Sequence, residues 1–332
     1  MASLPAAAPA AARIALPARI DAAAVQAPPA AGTLHRLRGE TMGTLWRATL
    51  AAPGMAPAAL EGLITRRLAG IVDEMSHWQA DSCLGRFNRL PAGGWMALPA
   101  DFARVMAAAL ALAEASGGAF SPALGRLVDL WGFGPPGPVP APPAAQPLAR
   151  AHADADWRRL AFEPAPARLR QPGRLALDLS AIAKGFAVDA LAEALVGAGI
   201  AHFAVEVGGE WRGSGVQPGG QPWWVDLETP PGAALAPLRI ALHGLSVATS
   251  GTYLRGDHNL DPRSGRPAAG GIVSCSVVHA SAMIADGWAS ALTVLGPEAG
   301  LEMANRQGLA ARLVLRGGAE VISTPLRALL AD

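Results

Sequence analysis

The sequence predicts an α+β protein: mixed, mostly antiparallel sheets flanked by helices. Three observations carry this reading. Stretches with period-2 alternation outnumber the helical ones, and several follow one another directly, as in hairpins. The helical stretches carry recognisable start and stop residues. Proline- and glycine-rich breaks separate the two kinds. The 332 residues, 51% of them hydrophobic, are enough to fill a core. A net charge of +1 provides no basic field for nucleic acid. Cys83 and Cys275 make neither a disulfide framework nor a zinc site and read as small buried apolar residues. No apolar run reaches transmembrane length; the run from Val105 to Ala115 is broken by Glu114.

Residues 1–33 are dominated by Ala and Pro and lack periodicity, which predicts a disordered leader. This leader lacks the basic and apolar blocks of a secretory signal and a Cys for lipid attachment, so a cytoplasmic location is expected. Residues 34–332 form the expected single domain. Leu34 to Leu50 reads as two strands joined around Met42-Gly43. Pro57 to His77 is helical, with Leu60, Ile64, Leu68, Ile71 and Met75 on one face. Asp101 is placed to cap a helix running through Ala115 and closed by Gly117-Gly118. The proline-rich stretch 134–147 is an exposed loop or a linker. Arg158 to Leu177 reads as a strand pair turning at Gln171-Pro-Gly173.

The stretch from Leu175 to Asp189 organises the rest. Leu175, Leu177 and Leu179 alternate as a strand, Ser180 suits a helix N-cap, and Ile182, Phe186, Leu191 and Leu195 continue at helical spacing to Gly197. His202 to Val207, Trp223 to Leu227, Leu238 to His243, Leu245 to Thr249, Ile272 to Val278 and Ala311 to Leu315 are further strands; Ser281 to Leu295 and Glu298 to Gln307 are helices.

Three groups could carry chemistry. The first is Asp178, Ala181 and Lys184: Lys184, the only lysine, stands in the first turn after a strand, where free N–H groups can receive an anion; the alternative is an ordinary strand–turn–helix with a surface Lys. Thr249-Ser-Gly-Thr and His258-Asn-Leu-Asp-Pro-Arg-Ser-Gly265 gather hydroxyls with one His, one Asp and one Arg; two polar surface turns would look the same. Asp286 and Ser290 are four apart on a helix, so their oxygens share a face. Without His or Cys nearby they suit Mg²⁺ or Ca²⁺, or else face water. The histidines at 35, 77, 152, 202, 243 and 279 lack ligand spacing and read as surface or satisfied polar residues. Among the tryptophans, Trp78 in its polar loop suits ligand stacking.

Taken in order, these segments resemble the FAD:protein FMN transferase (ApbE) family. The matching pieces are Thr41-Met-Gly-Thr44, Met75-Ser-His-Trp78, Asp81-Ser82, Arg86-Phe-Asn88, Gly118-Ala-Phe120 and Val128-Asp-Leu-Trp-Gly-Phe133. They continue with Leu177-Asp-Leu179, Ala183-Lys-Gly-Phe-Ala-Val-Asp189, Val207-Gly-Gly209, Ala248-Thr-Ser-Gly251, His258, Asp261-Pro-Arg-Ser-Gly265, Met283 and Ala285-Asp286. The resemblance implies two lobes around a flavin cleft and transfer of FMN from FAD to a Thr or Ser of a target flavoprotein, with release of AMP. By position, Met42, Trp78, Ala119, Phe120 and Ser121 would contact flavin or adenosine. Asp178, Lys184 and Ile272 would contact the nucleotide. The Ala181 carbonyl, Asp286 and Ser290 would hold Mg²⁺, and His258 would help deprotonate the acceptor. Hydrolysis of FAD by water, or storage of FAD without chemistry, are the competing readings. This chain has Ser121 where the family has an acid, Ser290 where it has Thr, and no secretory leader. It carries no string like the family's acceptor motif, so it is not expected to flavinylate itself.

Overall fold

The computed structural model describes residues 12–20, 22, 25, 28–252 and 258–331. The stretch expected to be a disordered leader contributes a strand, β1 (Arg13–Ala15), paired in parallel with a strand at Leu238–Leu242. Ala15 is buried, Arg13 Nη2 donates to Glu320 at 2.7 Å, and the Ile14 carbonyl accepts from Ala331. These partners lie at the far end of the chain, so local composition could not reveal them.

β2 (Leu34–Thr41) and β3 (Thr44–Ala51) form the expected hairpin. Its turn residues Met42 and Gly43 have φ of 51° and 68°, the left-handed pair that a two-residue hairpin demands. α1 (Pro57–Met75) buries its five predicted apolar residues. α2 (Cys83–Asn88) is capped by Ser82, whose Oγ accepts from Gly85 N at 2.8 Å. β4 (Trp95–Ala97) precedes α3 (Ala100–Ala115). Asp101 does not cap α3. It pairs with Arg67, and Glu74 of α1 instead accepts the Phe102 N–H at 3.0 Å. α4 (Gly125–Leu130) and α5 (Ala145–Asp154) flank the proline-rich loop, which runs largely exposed between them.

β5 (Ala161–Pro164) and β6 (Ala167–Arg170) are paired, but their turn falls at Ala165-Pro166 rather than at 171–173. Gln171 is instead buried, its amide donating to the Phe87 and Leu175 carbonyls at 3.1 Å each. α6 (Ala183–Gly197) follows, then β7 (His202–Val207), β8 (Glu210–Ser214), β9 (Trp223–Asp226), β10 (Leu238–Leu242) and β11 (Ser246–Gly251). After short β12 (Leu260–Asp261) and β13 (Arg266–Pro267) come β14 (Ile272–His279), α7 (Ala282–Leu295) and α8 (Pro297–Arg306). β15 (Ala310–Leu315), β16 (Glu320–Ile322) and α9 (Thr324–Leu329) complete the described chain.

An eight-stranded sheet in the order β16-β15-β14-β11-β8-β7-β3-β2 forms the frame, and every pairing in it is antiparallel. One face carries α6, α7 and α1 over the main core, which includes Phe186, Leu191, Val205, Val277 and Leu292. The small sheet β1-β10-β9 meets a second apolar cluster that includes Leu238, Ile240, Val247 and Val278. The fold class is the one expected. Among the described residues, no helix is long and apolar enough to cross a membrane.

Candidate active site

Residues 175–179 alternate as predicted, with Leu175, Leu177 and Leu179 buried, yet they join no sheet. Side chains and turns bind their backbone instead. Asn88 accepts from Leu177 N at 2.7 Å and donates to Leu177 O at 3.0 Å. His77 Nδ1 reaches the same carbonyl at 3.2 Å while its Nε2 lies 2.9 Å from Asp129 Oδ1. Gly125 N donates to Ala176 O at 3.0 Å, and a Cβ on Gly125 would come within 2.8 Å of Leu177 O. Asp178 N donates to Pro122 O, and the Asp178 carboxylate accepts from Ser180 N and Oγ at 2.8 and 2.5 Å. Ser180 therefore serves Asp178 and does not cap α6, whose boundary residue is Ile182. Separate sequence motifs, around His77, Asn88, Gly125 and Asp129, thus converge on one extended segment.

That segment delivers Lys184 to the first turn of α6. Its ammonium pairs with Glu210 Oε1 and stands 4.0 Å from Asp286 Oδ1. Glu210 comes from the residue after the Gly208-Gly209 turn between β7 and β8. A Cβ on Gly208 would lie 2.9 Å from Thr44 Cγ2 and 3.2 Å from Lys184 Cδ, so the two hairpin turns and α6 meet here. Asp286 Oδ2 accepts the Gly185 N–H at 3.0 Å. The anion expected at this helix start is thus met from within the chain. Because Gly185 turns its N–H to Asp286, the Ala181 carbonyl accepts no backbone hydrogen bond among the described residues.

α6 and α7 run antiparallel in tight register. Asp189 accepts from Ala282 N and Met283 N at 3.0 Å each and from Ser281 Oγ at 2.6 Å. One turn along, a Cβ on Gly185 would lie 2.3 Å from Ala282 O and 2.7 Å from Asp286 Cβ. A Cβ on Gly287 would be 3.8 Å from Ile182 Cδ1. Ala181, in the turn before α6, and Ser290, one turn beyond Asp286 on α7, are both half-buried.

Two buried carboxylates thus share one ammonium. Burial pushes Glu210 up to about 8, with Lys184 opposing and Asp286 reinforcing the shift. Burial raises Asp286 as well, against Lys184 and the Gly185 N–H. Glu210 Oε2 is buried without a hydrogen-bond partner among the described residues. Among the described residues, no group of three or more His, Cys, Asp and Glu is arranged to hold a metal ion. A cation here would draw on the carbonyl and hydroxyl oxygens beside Asp286. This all-oxygen set fits a hard divalent ion, whose charge would favour the ionised form of both carboxylates.

The other expected residues sit on other segments of the chain. Met42 is half-buried in the turn that ends at Thr44. Trp78 follows His77 and is 63% exposed, the most exposed large apolar side chain among the described residues. Ala119, Phe120 and Ser121 are buried, and the Ser121 hydroxyl accepts from Ala123 N at 3.2 Å. These three offer backbone to a ligand more readily than side chains. Ile272 is buried beside a register shift at the start of β14. His258 is half-buried next to the stretch 253–257, which lies outside the described residues. Glu210 was missed in the sequence although it directly follows the Gly-Gly pair. The spacing of a lone histidine says nothing about a partner 52 residues on, so the sequence alone does not mark His77.

The fold is that of solved flavin transferases. The Pseudomonas stutzeri flavinyl transferase ApbE superposes with a TM-score of 0.84 at 34% identity, covering 90% of this chain and 97% of that one. The flavin transferase ApbE from Vibrio cholerae gives 0.84 at 32%, covering 90% and 99%. A curated relative, the FAD:protein FMN transferase of Klebsiella pneumoniae, is 32% identical over 317 residues, 90% of this chain and 89% of its own length. The ApbE family profile matches residues 42–313, and the chain belongs to the ApbE family.

Proposed function

We propose that this chain transfers FMN from FAD to a Thr or Ser hydroxyl of a target flavoprotein and releases AMP. The observation that carries this reading is the meeting of Lys184, Glu210 and Asp286 at the Thr44 and Gly208 turns, in a chain of the ApbE family. A lone helix start stabilises an anion by only about 0.3–1 kcal/mol, too little to hold and activate a pyrophosphate. Lys184 adds a full positive charge at that helix start. Asp286, Ser290 and the Ala181 carbonyl would hold Mg²⁺, which when bound neutralises charge on the pyrophosphate oxygens.

The chain's own groups do the rest. Trp78 and Met42 offer apolar surface to the flavin, and the 119–121 backbone and Ile272 complete the cleft. Asp178 accepts hydrogen bonds from the nucleotide, and Lys184 orients the pyrophosphate. The acceptor oxygen bonds to the FMN phosphorus as the bond from that phosphorus to the bridging oxygen breaks. The bridging oxygen leaves with AMP, and His258 takes the acceptor's proton.

The test is AMP release from FAD and Mg²⁺ with and without an acceptor flavoprotein. AMP and acceptor-bound flavin that appear only together are expected. AMP released equally without acceptor would make the chain a pyrophosphatase, and no AMP at all would make it a flavin carrier. The chain's own band should carry no flavin fluorescence after denaturation.

A further inference from the structure

We infer that His77 is a positioning cation: as an imidazolium it fixes the Leu177–Asp178 segment and thereby sets the Asp178 carboxylate for the nucleotide, a role that rests on the transferase reading above.

The Leu177 carbonyl can only accept, and so can the Asp129 carboxylate. The Asn88 amide is oriented by its bond from Leu177 N, so it too donates to Leu177 O and leaves that oxygen an acceptor on both sides. His77 Nδ1 faces Leu177 O and Nε2 faces Asp129 Oδ1, so both ring nitrogens must carry protons. A neutral ring would turn a lone pair toward one of the two oxygens inside a site where His77 is only 7% exposed.

The surroundings match a held cation. The charged groups facing His77 are Asp129 from α4 and Asp178 from the extended segment; α2 contributes only the neutral Asn88. Burial works against the charge, but the Asp129 hydrogen bond and the Asp178 carboxylate outweigh it, so the His77 pKa stands above the usual histidine value. Asp129 is itself boxed in, since a Cβ on Gly134 would lie 2.0 Å from its Oδ1. The clamp is therefore built from three of the sequence motifs, and its product is the fixed position of Asp178. His77 also directly precedes Trp78, so the same clamp anchors the exposed indole.

The sign of the pH effect follows. A raised folded-state pKa means the clamp is complete below it and is lost as pH rises through it. The first measurement is the ¹⁵N–¹H NMR signature of the His77 ring in the full chain without FAD, from pH 6 to 9. Two protonated nitrogens at neutral pH are expected, and one would overturn the inference. The second is FAD affinity over the same range. It should show a step at the His77 midpoint read by NMR, seen as a rise in KM for FAD, that is missing in His77→Gln, whereas any change from Glu210 beside Lys184 is shared by both proteins. A flat affinity across that titration would overturn the positioning role.

His77→Gln and Asp129→Asn should bind FAD roughly 10–100-fold more weakly at neutral pH, the worth of one charged hydrogen bond, and should lose this pH dependence. Circular dichroism should show both variants folded; if His77→Gln is unfolded, Asp129→Asn and the wild-type NMR titration still decide the matter. Affinity that tracks the His77 proton without AMP release would support the clamp and sink the transferase reading alone.

Discussion

Asp286 is the residue on which the proposed chemistry turns. It is buried, bonded to the Gly185 N–H and 4.0 Å from Lys184. Asp286→Asn preserves shape and removes the charge that a hard cation needs. Turnover should fall by orders of magnitude and respond no further to Mg²⁺, while FAD still binds through the contacts proposed for Trp78 and Asp178. His258→Ala should retain the Mg²⁺ response and slow transfer by about 10²–10⁴-fold, the usual contribution of a general base. AMP release against Mg²⁺ concentration for both variants checks the pair; an Asp286→Asn enzyme with unchanged activity and Mg²⁺ response would remove the metal assignment. The cysteines offer a separate check on the core. Burial pushes the Cys275 thiol up to about 12, whereas Cys83 is half-buried with Arg86 Nη2 2.9 Å from its sulfur. A thiol reagent should label Cys83 in the native protein and reach Cys275 only after unfolding.

The antiparallel pair α6 and α7 is the element that aligns the proposed metal ligands. Gly185 permits the contact, because a Cβ there would sit 2.3 Å from Ala282 O. Gly185→Ala gains up to about 1 kcal/mol of helix propensity. The overpacking it forces typically costs about 1–3 kcal/mol. A net loss in urea unfolding is expected, with a weakened Mg²⁺ response because Asp286 is displaced. Asp189→Ala should cost more, about 3–5 kcal/mol, because it strands Arg212 and uncaps α7. Equal stability of wild type and Asp189→Ala would overturn the capping role. Both helices were legible from their 3.6-residue periodicity, and Ser281 marked the start of α7; the start expected at Ser180 for α6 fails because that residue turns back to Asp178. Their register was not, since it depends on which glycine faces which carbonyl. The 175–179 segment shows the same limit. Its alternation reports two differently packed faces and cannot say whether sheet neighbours or side chains such as Asn88 and His77 satisfy its backbone. Asp286 and Lys184 were legible as candidates, whereas Glu210 became visible only when the β7–β8 turn placed it under Lys184.

At the scale of the whole molecule, one ion network joins the two ends of the chain. Arg312, fully buried on β15, donates to Glu320 at 2.5 Å and to the Glu228 carbonyl at 3.2 Å. Arg13 of β1 donates to both Glu320 oxygens, from Nη1 to Oε2 at 2.5 Å and from Nη2 to Oε1 at 2.7 Å, and β1 pairs with β10 next to the C-terminal segment. Burial alone would raise the Glu320 pKa, but the hydrogen bonds from Arg13 and Arg312 outweigh it and hold the carboxyl below the usual range. A depressed folded-state pKa contributes stability that is present above the unfolded-state value and lost as pH falls through the folded one. Thermal unfolding from pH 7 to pH 3 should therefore show Tm declining on acidification, with Glu320 responsible for part of the slope. Glu320→Gln should start from a lower Tm at pH 7 and decline less steeply, because the group that titrates is gone while Arg312 remains buried without its counter-charge. Deleting residues 1–16 should also lower Tm at pH 7, since it removes Arg13 and uncovers the edge of β10. If the deletion leaves Tm unchanged, β1 is an ornament on the sheet rather than part of the fold, and the composition-based reading of the first 33 residues regains its force.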